Sequence, residues 1–205
     1  MKSDFIEKDV FELILELVPY DVAIALRVSL ETGLRIGDVL ALKPENITDN
    51  KISVIAQKTR KPMCAEISKE YARYLERHAV WCFPSPRDAT KHRTRQSVWA
   101  CVKRAVARLS IAENVTPHTA RKIFAVERFK RKGLRETQNA LQHDSVSTTL
   151  LYAFADKIDG RGKRAHQTVS KGDADRIIHE FIELLGGAEK VLDAMREVIN
   201  EKDTT

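Results

Sequence analysis

Tyr152 lies nine residues after His143, just past a run of small hydroxyl residues in "LQHDSVSTTLLYAF". On a helix anchored by Leu150 and Leu151 it can serve as a core aromatic or as a nucleophile. A phenol titrates near pH ~10, so a nucleophilic tyrosine needs a proton acceptor or a strong positive field. Candidates for both are spread along the chain. His118 and Arg121, in "TPHTARKIFA", stand three apart and share one helix face. They fall in the first turn, where free N–H groups and the macrodipole favour an anion. The plainer alternative is a capping histidine beside a solvated arginine. Arg35, in "TGLRIGDVLAL", sits at a junction between two helical stretches, well held for bidentate contact with phosphate. Its plainer alternative is a pair with Asp38 at i,i+3. Lys58, in "QKTRK", stands at a hairpin tip, either reaching into a groove or serving only the turn.

These residues need a frame. Phe5, Val10, Phe11, Ile14 and Leu15 recur at helical spacing over residues 4–18, with Pro19 as the stop. Residues 20–32 form a second apolar helix closed by Gly33. A short helix in "RIGDVLAL" ends before Pro44. "ENIT", the turn "DN", "KISVIAQ" and "MCAEIS" read as two or three short antiparallel strands. Ser68 can cap a helix over residues 69–80. "FPSPRDATKHRTR" is a basic loop, and Thr94 or Arg95 opens a helix to about Leu109. Thr116 and Pro117 start the helix that carries His118 and Arg121, Gly133 stops it, and Ile123 and Phe124 anchor it. Short helices follow over residues 134–141 and 147–155. The fold class is therefore α+β, mostly α-helical, with one small antiparallel sheet.

Charge points to the partner. Residues 51–135 carry 21 Lys/Arg against 6 Asp/Glu, a surplus of +15, between two acidic flanks. That much positive charge repels itself unless a polyanion neutralises it, and nucleic acid fits. No apolar run is long enough to span a membrane, and "MKSDFIEKDV" is too polar for a signal peptide; a cytoplasmic, nucleoid-associated protein is expected. Cys64, Cys82 and Cys101 form no CxxC pair, which argues against a disulfide framework or a zinc site. His78 and Cys82, four apart, are the one pair with metal-ligand spacing, and no second pair accompanies them. No nucleotide-binding glycine loop is present, so no cofactor is expected, and the absence of a carboxylate cluster fits the expectation of no metal.

Taken jointly, "TGLRIGDVLAL", "QKTRK", "TPHTARKIFA" and "LQHDSVSTTLLYAF" present Arg, Lys, His-x-x-Arg, His and Tyr in order. This closely resembles the tyrosine recombinase (phage integrase) family over about residues 20–155. The resemblance implies a catalytic domain over residues 1–158, in which Tyr152 attacks a DNA phosphodiester and forms a 3′-phosphotyrosine. It implies that Arg35, Arg121 and His143 hold the scissile phosphate, that Lys58 protonates the leaving 5′-oxygen, and that His118 orients the site or helps remove the tyrosine proton. Double-stranded DNA would be the partner, with self-association to a dimer or tetramer on DNA and an accessory protein as a further candidate partner. Residues 159–205, a linker followed by amphipathic helices with Ile177, Ile178, Phe181, Ile182 and Leu185 on one stripe, would be exchanged between subunits.

Physical chemistry agrees with these roles. Attack builds a second negative charge on the phosphate, and preorganised donors typically contribute about 10²–10³ each in rate. The 5′-alkoxide leaves poorly without an acid, which lysine can supply. Three features depart from the family. Gln142 stands where glycine is usual before His143, Asp38 stands where glutamate is common, and no separate core-binding domain precedes residue 20. A half-clamp should bind DNA weakly, with a shallow salt slope at about 0.9 per phosphate contact. Two alternatives remain open at this point: a type IB topoisomerase-like enzyme, and a DNA-binding regulator that kept the fold without cutting.

Overall fold

The computed structural model describes residues 3–141. His143, Tyr152, the helix expected over residues 147–155 and the C-terminal segment lie outside them. The described elements run α1 (Lys8–Glu16), α2 (Tyr20–Thr32), α3 (Ile36–Leu40), β1 (Ile47–Thr48), β2 (Lys51–Ile55), β3 (Pro62–Glu66), α4 (Lys69–Glu76), α5 (Arg95–Arg108) and α6 (His118–Leu141). Among the described residues no helix is long and apolar enough to cross a membrane.

Helix α2 is the axis of the core. Val22, Ala23, Ile24, Ala25, Leu26 and Val28 are all buried, so its apolar residues face inward all round, as a fully enclosed helix requires. Ala120, Ile123 and Val126 of α6 join the same core. The three strands form one antiparallel sheet in the order β1-β2-β3. Ile52 faces the core opposite Ala65, while Lys51, Ser53 and Ile55 point outward, the alternation expected of a half-buried strand.

Helix α2 ends at Gly33, whose left-handed backbone (φ 71°) lets its N–H bond Ser29 O at 2.9 Å. A Cβ at this position would lie 2.4 Å from the Phe124 ring. Glycine is thus demanded twice, by backbone angle and by the close approach of α6. Helix α6 breaks at Gly133 (φ 77°, ψ −176°) and resumes to Leu141, as the sequence suggests. Arg128 fastens the break by donating to Glu136 O at 3.3 Å, and Thr137 Oγ1 donates back to Gly133 O at 2.8 Å.

Three expectations are corrected. Helix α1 begins at Lys8, because the Asp4 N–H donates to Asn114 O (3.1 Å) and the Asp4 carboxylate accepts from Asn114 N (2.7 Å); tertiary pairing wins over helical periodicity. Helix α4 ends at Glu76, short of Val80. His78 Nδ1 sits 3.1 Å from Tyr74 O, the carbonyl that a further turn would use. Ser68 occupies the N-cap position without a side-chain cap; its backbone N–H instead donates to Glu31 Oε2 at 3.0 Å.

Gly33→Ala should destabilise the protein by about 2–4 kcal/mol, the sum of a left-handed penalty and overpacking against Phe124. Urea unfolding monitored by circular dichroism checks this, with a lowered midpoint at unchanged slope as the expected result.

Candidate active site

Three separated segments carry the described candidates. Arg35 is the residue before α3, with extended backbone (φ −66°, ψ 142°); its carbonyl accepts from the N–H groups of Asp38 and Val39. This junction holds the side chain half-buried, with Nη1 buried and without a hydrogen-bond partner among the described residues. A buried donor left unmade costs about 1–3 kcal/mol, so an acceptor brought to this atom would be bound favourably.

Asp38 does not pair with Arg35. Its carboxylate turns to the hairpin, where Oδ1 accepts from the Gln57 N–H at 3.0 Å; Gln57 Nε2 also donates to Gly37 O at 3.4 Å. The turn closes on itself through Ala56 N to Lys61 O (3.0 Å) and Arg60 N to Ala56 O (2.8 Å). Lys58 is exposed at this tip, one residue from the Asp38 contact. Asp38 therefore fastens the residue before Lys58 to α3.

Arg121 is 1% exposed, among the largest fully buried side chains of the described residues. Its Nη1 donates to Gly33 O, and its Nη2 to Leu141 O at 2.6 Å. One guanidinium thus ties together the end of α2, the start of α6 and the end of α6. His118 opens α6, with its N–H on Thr116 Oγ1 at 3.2 Å, so Thr116 caps this helix as the sequence suggests.

His118 records the convergence of these groups. Loss of hydration, followed by the positive charges of Arg121, Lys122, Arg35 and Lys58, pushes its imidazole from 6.5 down to about 4. The residue keeps one face open to solvent while protein crowds the rest, and water at the open face weakens the effect. The direction is unchanged: the ring is neutral at pH 7, able to accept a proton. The His78–Cys82 pair is not set up as metal ligands. His78 Nδ1 is engaged at Tyr74 O, and burial pushes the Cys82 thiol up to about 12.

The charges of Arg35, Lys58 and Arg121 all reach His118; His143 and Tyr152 lie outside the described residues. Sequence reasoning missed two contributors. Asp38 was legible as a possible partner of Arg35 and as a departure from the family's common glutamate, and not as a hold on the hairpin. Lys122, buried beside His118, had one available signal, its i,i+4 spacing from that histidine.

The profile of the phage integrase family matches residues 4–158, and the chain belongs to that family. Tyrosine recombinase XerD of Lacticaseibacillus casei is 30% identical over 138 residues, covering 59% of this chain and 46% of that protein. XerD of Ralstonia nicotianae is 33% identical over 137 residues, covering 59% and 44%. The chain thus spans less than half the length of these relatives. Among solved structures, the catalytic domain of bacteriophage HP1 integrase matches with a TM-score of 0.58 at 22% identity, covering 75% of this chain and 89% of that one. A lambda integrase tetramer bound to a Holliday junction matches at 0.63 and 18%, covering 82% and 51%. These similarities establish the α+β catalytic-domain fold expected from the sequence.

The depressed His118 sets a pH dependence. Below 6.5 the unfolded chain binds a proton that the folded chain refuses until about pH 4. Stability is complete above the unfolded value and should fall as pH drops through that window. Urea unfolding over a pH series should show this slope in the wild type and a flatter one in His118→Gln.

Proposed function

We propose that this chain is the catalytic part of a site-specific DNA recombinase, cutting and rejoining strands through a 3′-phosphotyrosine. The observation that carries the reading is the buried, unpartnered Nη1 of Arg35 within a group of cations that includes Lys58, Arg121 and Lys122. Like charges from distant segments repel one another, and a bound phosphate diester relieves both the repulsion and the orphaned donor.

In this reading Arg35 and Arg121 receive the scissile phosphate, Arg35 as the open donor and Arg121 as charge and frame. Neutral His118 takes part in deprotonating or orienting the nucleophile. Lys58, aimed by the Asp38 clamp, protonates the leaving 5′-oxygen. His143 follows two residues after Leu141, whose carbonyl Arg121 holds, and two residues reach at most about 7 Å. In this reading His143 joins the phosphate pocket, and Tyr152 supplies the attacking phenol.

The catalytic domain takes in residues 1–158, and residues 159–205 form a linker and amphipathic helices exchanged between copies. The partner is double-stranded DNA, on which the chain assembles as a dimer or tetramer at the nucleoid. Relatives called recombinases and integrases support a strand-exchange outcome, integration, excision or inversion, over simple relaxation or regulation.

Tyr152→Phe should bind DNA normally and form no covalent adduct with a nicked suicide substrate, read by denaturing gel; an adduct in that variant removes Tyr152 from the nucleophile role. An inert wild type on its cognate site would point to a non-cutting regulator. Lys58→Ala should cleave about 10²–10⁴-fold slower and recover on a 5′-thio leaving group, which needs no acid.

A further inference from the structure

The chain has two tryptophans, and the fold treats them differently. Trp81 donates its indole N–H to Thr90 O at 2.9 Å, meets His92 edge to face and carries Lys43 over its ring. Trp99, on α5, is 46% exposed, and its N–H has no protein acceptor among the described residues. Its ring is nonetheless held still. Lys103 Nζ lies 5.8 Å from the ring centroid and donates to Asn114 Oδ1 at 2.6 Å, and Asn114 N donates in turn to the Asp4 carboxylate at 2.7 Å. A side chain that only meets water gains nothing from such bracing. One that meets a ligand does, because ordering it beforehand lowers the cost of binding.

Helix α5 sets where the ring points. Val98, Cys101, Val102, Ala105 and Val106 are buried, which leaves Arg95, Trp99 and Lys103, at steps of four, along one edge away from the core. That edge starts beside the candidate site. A Cβ at Gly37 would sit 3.2 Å from Arg95 Cδ, and Gly37 is two residues after Arg35. Trp99 stands one turn further on, about 6 Å along the helix axis. Charge selects the occupant. The α5 sequence, RQSVWACVKRAVAR, has four cations and no acid. DNA backbone brings the opposite charge, together with a phosphate acceptor for the indole N–H and the apolar face of a sugar for the ring.

We propose that Trp99 is a DNA-backbone anchor: its indole N–H donates to a phosphate oxygen on the flank of the scissile one, and its ring lies against the adjoining deoxyribose. The contact keeps the duplex in register over Arg35 and reads no base. The inference takes DNA as the partner from the recombinase reading and does not depend on cutting.

The test uses the full chain and two duplexes of unrelated sequence. In the wild type either duplex should shield tryptophan emission from acrylamide, since Trp99 is the more exposed of the two rings. Trp99→Phe keeps a ring and loses the N–H. It should bind both duplexes about tenfold more weakly, the loss expected for a hydrogen bond to a charged acceptor, at an unchanged salt slope because no cation is removed. The shielding should vanish in this variant, and its urea midpoint should match that of the wild type. A wild type that binds DNA without shielding overturns the proposal, and this measurement needs no variant. A loss confined to one duplex overturns it too, making Trp99 a base reader. So does unchanged affinity with impaired self-association in sedimentation, which makes the edge a contact between copies. A wild type that binds neither duplex overturns both this proposal and the recombinase reading. Shielding without adduct on the nicked substrate sinks the recombinase reading and leaves the anchor standing; adduct without shielding sinks the anchor alone.

Discussion

The structure depends on one buried guanidinium. Arg121 closes a triangle between Gly33, at the end of α2, and Leu141, at the end of α6, from its own place one turn into α6. Hydrogen bonds to a charged donor contribute roughly 1.5–3 kcal/mol each, and these two join segments 88 and 20 residues away in sequence. The demand for glycine at position 33 follows from the same close approach, since α6 must come near enough for its arginine to reach the main chain. Arg35 inherits its position from that contact, being two residues further on.

A second constraint is electrostatic. Arg35, Lys58, Arg121 and Lys122 all act on His118, and the nearby buried carboxylate, Asp38, is turned to the Gln57 backbone. Ordinary folding would place a carboxylate between such cations, as Asp21 meets Arg93 elsewhere in this protein. Among the described residues this region keeps a buried, unmade donor on Arg35 Nη1 and a buried, unmade acceptor on Asp38 Oδ2.

Much of this was legible because it is local. The apolar residues of α2 and the glycine after them define its end to the residue. The alternation in "KISVI", followed by "QKTRK", gives the hairpin and its tip, and Gly133 marks the break in α6. What escaped was set by partners far along the chain. Asp4 leaves a helical pattern for Asn114, 110 residues away, and α4 ends because a histidine side chain takes a backbone carbonyl. Asp38 looked like a surface partner of Arg35, since nothing in its neighbours announces that a backbone N–H 19 residues on will claim it.

The two turns of the small sheet are not equivalent. Between β1 and β2, Asp49 and Asn50 both adopt left-handed backbone (φ 49° and 60°), and Asp49 is exposed. Asparagine and aspartate tolerate this better than other non-glycine residues. Extra sequence grafted there would hang outward and leave strand pairing alone. The opposite turn is bolted to α3, and one added residue would rotate Lys58 to the other side of the ribbon. Length variation, a fluorescent label or a fused recognition module therefore has one permissive port on this sheet, at the end away from Lys58.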